Sequence, residues 1–104
     1  MNIERFTSES EGLTLVFDNS EWVVGIKNYK PANDLENLRE LEKHNETDEQ
    51  FVLLEGQCHL VLMHEKKIEV LNMEKNTVYN IPKGFWHTTI MAPGTKMILS
   101  EKSG

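Results

Sequence analysis

Short apolar runs separated by turn residues recur along the chain, and this pattern constrains the fold more than any other feature. Eight runs read as β-strands, and the segments between them carry residues that favour turns, such as Pro93 and Gly94. The eight runs are 13–17, 21–27, 50–54, 58–63, 68–71, 77–81, 87–91 and 96–100. Short strands with antiparallel-type connections are typical of a jelly-roll barrel, so we predict an all-β fold.

One segment departs from the strand pattern. The stretch 33–44 carries leucines three residues apart, with good helix formers between them. Asn33 followed three residues later by Glu36 has the form of a capping box. The sequence therefore predicts a short helix that starts near Asn33 and packs its leucines on the barrel, with a dimer contact as the alternative role of these leucines.

Size and charge limit the organisation and the partners. The chain has 104 residues, enough for one core but too few for two of ordinary size, so we expect a single domain over 1–104. Lysine and arginine total 11 against 17 acidic residues, and no basic cluster is present. Such a surface repels phosphate backbones, so we expect no nucleic-acid partner.

The N-terminal sequence and the single cysteine indicate the cellular compartment of the protein. No apolar segment follows a basic start, and the longest apolar runs are only a few residues long, so we expect neither a signal peptide nor a membrane span. Cys58 is the only cysteine, which rules out an internal disulfide and agrees with a reducing compartment. We predict a cytoplasmic protein in which Cys58 is a small buried apolar residue.

Two groups of residues carry the strongest functional signal. Pro82, Gly84 and His87 follow the spacing proline, one residue, glycine, two residues, histidine. Upstream, Glu49 is separated by six residues from Gly56. In these features the chain resembles the cupin superfamily, with its two motifs at about 42–56 and 76–91. The resemblance implies a small jelly-roll β-barrel in which the glutamate and the histidine are metal ligands.

Strand geometry agrees with that implication. Successive side chains of a strand point to opposite faces, so Glu49 shares a face with Phe51, and His87 shares a face with Met91. If both faces line the barrel interior, Glu49 and His87 meet in a concave apolar cavity. A carboxylate and an imidazole placed together suit a divalent first-row metal.

The first motif of the family contains two histidines, one residue apart, placed three or four residues before the glutamate. This sequence has only one histidine in that stretch, His44. With the four-residue spacing, His44 takes the second position and Glu42 the first. The implied metal ligands are then His44, Glu49 and His87, a set that suits Fe(II), Mn(II), Ni(II) or Zn(II).

The three-residue spacing gives a different result. Asn45 and Lys43 then take the two histidine positions, and His44 falls between them. Only Glu49 and His87 remain as ligands, too few for tight binding. A helix running through His44 would likewise keep its imidazole away from the site.

Two further positions depart from the family pattern. Asn76 replaces the glycine that opens the second motif, and asparagine tolerates the left-handed conformation of a turn. Met91 replaces the closing asparagine, which makes the cavity more apolar. We expect Phe51, Tyr79 and Met91 to line a ligand pocket, and we expect His59 to have no role as a ligand.

The resemblance implies more than one function. The first is a metal-dependent enzyme acting on a carboxylate-, enol- or sugar-like small molecule as an isomerase, decarboxylase or dioxygenase, with catalytic residues unassigned. The alternative is a barrel that binds or senses a small ligand without metal and without catalysis. A structural dimer with a vestigial cavity is the third. On the same resemblance we expect a homodimer.

Overall fold

The computed structural model describes residues 1–37 and 41–103, and these residues form mainly β-strands. Within them lie nine strands: β1 Gly12–Asp18, β2 Trp22–Asn28, β3 Glu42–Lys43, β4 Glu49–Glu55, β5 Cys58–His64, β6 Lys67–Asn72, β7 Val78–Ile81, β8 Trp86–Met91 and β9 Lys96–Lys102. The predicted all-β fold is confirmed. All eight predicted strands are present, with ends that differ by no more than two residues.

The strands form two antiparallel sheets that face each other. The first has the order β1-β2-β9-β4-β7 and the second the order β3-β8-β5-β6. Their inner faces bury a continuous apolar core, with Leu53 and Leu60 each 1% exposed and Met97 fully buried. The alternation of apolar and polar residues along each strand fixes which side chains enter this core.

Strand β3 was not predicted from the sequence. It is two residues long and pairs with β8, so that Glu42 lies opposite His87 and Lys43 opposite Trp86. Two residues are too few to show a period of alternation, so no pattern could reveal this strand. This pairing nevertheless fixes the position of Glu42 next to His87.

The predicted helix over 33–44 is wrong in the residues that the structure describes. Two short 3-10 turns, Pro31–Asn33 and Leu35–Asn37, stand at its start, and its C-terminal part is the strand Glu42–Lys43. The remaining part of the prediction, 38–40, lies outside the described residues. His44 therefore follows a strand and not a helix.

Two observations explain the loss of the helix. Leu35, the first residue of the leucine pattern, is 69% exposed, so a helix here would gain little from burying this side chain. The Asn37 side-chain amide donates a hydrogen bond to the Pro31 carbonyl at 2.8 Å, which competes with helical backbone bonding.

In the described residues no helix is long or apolar enough to cross a membrane.

Candidate metal centre

His87 and Glu49 face each other between the two sheets. β8 directs His87 inward and β4 directs Glu49 inward, leaving them 3% and 5% exposed. The Nε2 atom of His87 lies 2.9 Å from Oε1 of Glu49. The Nδ1 atom of His87 lies 3.3 Å from the Phe85 carbonyl oxygen, which can accept its N–H. The imidazole is thus oriented by its own strand, with Nε2 directed at the carboxylate.

The surroundings of His87 also set its protonation. Burial disfavours the charged imidazolium, but the Glu49 carboxylate and the Phe85 carbonyl stabilise it and together raise the pKa of His87. The 2.9 Å contact places Nε2 where a protonated imidazole donates to the Glu49 carboxylate.

His44 lies beside this pair. Its Nε2 atom is 3.7 Å from Oε1 of Glu49, and its ring centroid is 5.4 Å from that of His87. The Gly84 N–H donates a hydrogen bond to the His44 carbonyl at 2.6 Å, so the loop before β8 holds the His44 backbone. Within the described part of the chain, Nε2 of His44 is buried and has no hydrogen-bond partner.

The placement of Glu42 favours the four-residue alignment of the first motif. Glu42, His44 and His87 offer donor atoms that lie within 4.8 Å of one another. Lys43 instead places its ammonium 4.7 Å from the centre of the Trp86 ring, and Asn45 is exposed. The side chain at the first histidine position of the family is therefore a carboxylate that lies next to the site.

Glu101 is a site residue that the sequence analysis missed. Its Oε2 atom lies 3.9 Å from Nδ1 of His44, and Glu101 stands directly opposite Glu49 in the sheet. Burial and the charge of Glu49 raise the pKa of Glu101. The predicted strand ended at Ser100, two residues before the end of β9. The alternation of Met97 and Leu99 with their neighbours nevertheless points to Glu101 as the next inward residue.

A cavity of about 510 Å³ opens between the sheets beside Glu49 and His87. Among the residues predicted to form a ligand pocket, Phe51 lies on its wall. Met91 and Tyr79 are placed elsewhere. Met91 belongs to the apolar core, and the Tyr79 hydroxyl accepts a hydrogen bond from the Glu74 backbone N–H at 2.8 Å.

Several solved structures resemble this chain in fold, although their sequences are less than 25% identical to it. No protein-family model matches the sequence, and no curated protein matches it. KdgF from Halomonas sp. superposes with a TM-score of 0.64 at 13% identity, over 97% of this chain and 89% of that one. Oxalate decarboxylase from Bacillus subtilis gives a TM-score of 0.63 at 20% identity, over 83% and 22% of the two chains. The cupin domain of Schizosaccharomyces pombe Cnp3 gives 0.62 at 12% identity, over 88% and 64%. This chain has a cupin fold.

The backbone of the two cupin motifs has the conformation that their turns require. Asn76, at the position of the first glycine of the second motif, has a φ angle of 61°, so asparagine tolerates the left-handed turn as expected. Gly84 in the same motif has a φ angle of 87°, in the region that favours glycine. The motif strands β4 and β8 belong to opposite sheets, which is why their inward residues meet.

The metal ion that the cupin resemblance implies fits this site on two observations. The first is the unbonded buried Nε2 of His44, since a buried polar atom of this kind normally has a partner. The second is the convergence of several carboxylates, whose mutual repulsion a cation relieves. The converging side chains are Glu42, His44, Glu49, His87 and Glu101.

Proposed function

We propose that this cupin barrel binds one divalent first-row metal ion through His44, Glu49 and His87, with Glu42 and Glu101 beside it. The observation that carries the proposal is the buried Nε2 of His44, which lies 3.7 Å from Glu49 and lacks a hydrogen-bond partner among the described residues. A mixed imidazole and carboxylate set suits Fe(II), Mn(II), Ni(II) or Zn(II). The oxalate decarboxylase from Bacillus subtilis, which shares the fold, has Mn(II) centres.

The cavity beside these side chains is the proposed ligand site. A bound metal would act as a Lewis acid on an oxygen of a small carboxylate- or sugar-like ligand. When Nδ1 of His87 carries a proton, it can donate it to the Phe85 carbonyl oxygen, and loss of the Nε2 proton then leaves that lone pair for the ion. Phe51 and Leu99 form an apolar part of the cavity wall. Isomerisation, decarboxylation and dioxygenation are the reaction classes that we propose to screen.

A metal-free ligand-binding barrel is the second candidate, and one observation favours it. The 2.9 Å contact between Nε2 of His87 and Glu49 already satisfies both groups, so this part of the site is stable without an ion. In that case the same cavity would hold a small molecule by contacts with protein alone.

Elemental analysis of untagged protein, dialysed without chelator, tests the first candidate. We expect close to one Fe, Mn, Ni or Zn per chain in the wild type, and a loss of that metal in His87→Ala and His44→Ala. His59→Ala is the matched control, because His59 lies on a strand but is exposed and belongs to neither group of metal donors. Thermal unfolding of each variant confirms that it is folded.

Two results would reject the assignment. A folded wild type that takes up far less than one metal per chain after incubation with these ions would favour the metal-free barrel. Equal metal retention by His87→Ala and His59→Ala would show that any bound ion lies elsewhere.

Two further expectations from the sequence belong to this proposal. We expect a homodimer, since the edge strands of a sheet commonly pair or are covered, and light scattering after size exclusion measures the mass directly. We also propose a cytoplasmic location, which cell fractionation tests.

A further inference from the structure

Lys27 is a basic side chain on the inner face of β2. It alternates with Val23 and Gly25, which are both buried, so all three point toward the space between the sheets. In the sheet, Lys27 lies opposite Met97, which is fully buried, and opposite Leu13, which lines the cavity. A long cationic side chain therefore enters the cavity.

The Lys27 ammonium makes one hydrogen bond across the cavity. Its Nζ atom donates to Oγ1 of Thr89 at 2.9 Å, and Thr89, on β8 of the opposite sheet, is 2% exposed. In residues 1–37 and 41–103, no carboxylate oxygen lies within 4.0 Å of this Nζ atom. An ammonium group has three donors, so two N–H groups are left without a protein partner in this part of the chain.

The charges along the cavity wall are divided between two ends. Lys27 and Lys30 line one end, together with the buried side chain of Asn33. Glu49 and His87 line the other end, at the candidate metal centre. Apolar side chains separate the two.

Strand geometry gives the distance between the ends. Thr89 and His87 are two residues apart on the same face of β8, a separation of about 7 Å along the strand. The Lys27 ammonium bonds to Thr89, so it lies at that level. A ligand that touches both ends is therefore a small molecule only a few bonds long.

This position is costly for a lysine. Removal from water lowers the pKa of Lys27, although the negative charges of Glu42 and Glu49 oppose that shift. A cation that enters an apolar space without a carboxylate partner destabilises the fold. An anionic ligand would supply the missing partner.

We propose that Lys27 and Thr89 form an anion subsite that binds the carboxylate group of a small ligand. The ammonium supplies two N–H donors, and the Thr89 hydroxyl, whose oxygen accepts from Lys27, keeps its own proton to donate. The ligand has a second oxygen donor at its other end, about 7 Å away, as in a short dicarboxylate, a hydroxy acid or an oxo acid. Only this second requirement rests on the proposed metal function; the anion subsite itself does not.

Calorimetric titration with succinate and with succinamide, its neutral diamide, tests the subsite. The protein is used both after chelator treatment and after loading with Mn(II). We expect the wild type to bind succinate at least about tenfold more tightly than succinamide in both states, as charge-assisted hydrogen bonds are lost with the diamide. In the chelator-treated protein Lys27→Met should abolish this preference, whereas in the Mn(II)-loaded protein the ion itself would still favour a carboxylate over an amide. Lys67→Met is the matched control and should keep the preference, because Lys67 lies on the exposed strand β6 and does not line this cavity.

Stability measurements separate a binding role from a structural one. Lys27→Met should unfold at the same temperature as the wild type or higher, because an apolar side chain replaces a partly buried cation. If that variant does not fold, Thr89→Val provides a second test and should reduce the preference for succinate. After chelator treatment, a wild type without this preference, or a folded Lys27→Met that retains it, would overturn the proposal.

The same titration distinguishes this proposal from the metal assignment. If the metal function is wrong, the Lys27-dependent preference for succinate persists in chelator-treated protein and Mn(II) leaves it unchanged. If only the anion subsite is wrong, Mn(II) still binds, but the chelator-treated wild type binds succinate and succinamide alike.

Discussion

The backbone N–H of Gly84 lies 2.6 Å from the carbonyl oxygen of His44 and donates a hydrogen bond to it. This bond connects the loop of the second cupin motif to the histidine of the first. The His44 backbone is therefore positioned through its main chain, which leaves the Nε2 atom of its side chain available for a ligand. The arrangement makes the loop conformation a requirement of the site.

Gly84→Ala should weaken metal binding through that loop. Gly84 has a φ angle of 87°, and an added Cβ would meet no atom within 4 Å, so any cost comes from the backbone conformation, about 1–2 kcal/mol. We expect a loss of thermal stability and a lower metal affinity. Gly94→Ala is the matched control, because Gly94 has a φ angle of 82° and equally open surroundings in the turn after β8. It should lose similar stability but keep its metal. Equal metal affinity in the two variants would contradict this reading.

Acid should release the metal through His87. The imidazole must lose its Nε2 proton before it binds an ion, and the pKa of His87 is raised above its ordinary value of 6.5. Protons therefore compete at a higher pH than they would at an unperturbed histidine. Below the raised pKa, we expect the apparent metal affinity to fall by about tenfold per pH unit. Metal titrations between about pH 5 and about pH 8 measure it. An affinity independent of pH would exclude His87 as a ligand.

Glu101→Gln should affect stability and metal affinity in opposite directions. A carboxyl group whose pKa is raised on folding lowers stability once the pH exceeds its unfolded-state pKa, and Glu101 is such a group. The amide removes its repulsion from Glu49. We expect the metal-free variant to be more stable at neutral pH, by at most about 1 kcal/mol because the side chain is partly exposed.

The same variant should bind metal more weakly, because one negative charge next to the ion is lost. The stability difference from the wild type should shrink as the pH falls and Glu101 becomes protonated. Glu69→Gln, on the exposed strand β6, is the control and should change neither property. A metal-free Glu101→Gln that is less stable than the wild type at neutral pH would contradict the prediction.

Cys58 should be unreactive in the folded protein. It is fully buried, and this burial raises the pKa of its thiol to about 11, so at neutral pH only about one molecule in 10⁴ carries the reactive thiolate. We expect a disulfide reagent such as Ellman's reagent to label it very slowly in buffer and completely in denaturant. Rapid labelling of the native protein would show that the core opens at β5.

The sequence predicted the parts of this fold that depend on repeated alternation. Each of the eight strands was recognisable, and alternation along β4 and β8 correctly turned Glu49 and His87 inward. Glu101 was missed because the end of a strand is harder to predict than its existence. Lys27 was not singled out, although it ends the predicted strand 21–27, because one strand by itself does not show that a lysine enters a cavity between two sheets.

The helix predicted before the first motif was wrong for another physical reason. The C-terminal part of the predicted helix instead forms strand β3 and pairs with β8, a contact between residues more than forty positions apart. No local pattern reports such a contact. The same pairing favours the four-residue alignment of the first motif, because it places Glu42 opposite His87.

The donors at the candidate centre come from both sheets, with Glu49 and Glu101 on one and Glu42 and His87 on the other. An ion held by them would join the two layers as a removable cross-link, and the layers could not separate without releasing it. At a free metal concentration about 100 times the dissociation constant, this linkage is worth about 2.7 kcal/mol. The lifetime of the folded protein in a cell would then follow the supply of the metal, so that starvation for the ion would deplete the protein itself as well as its activity.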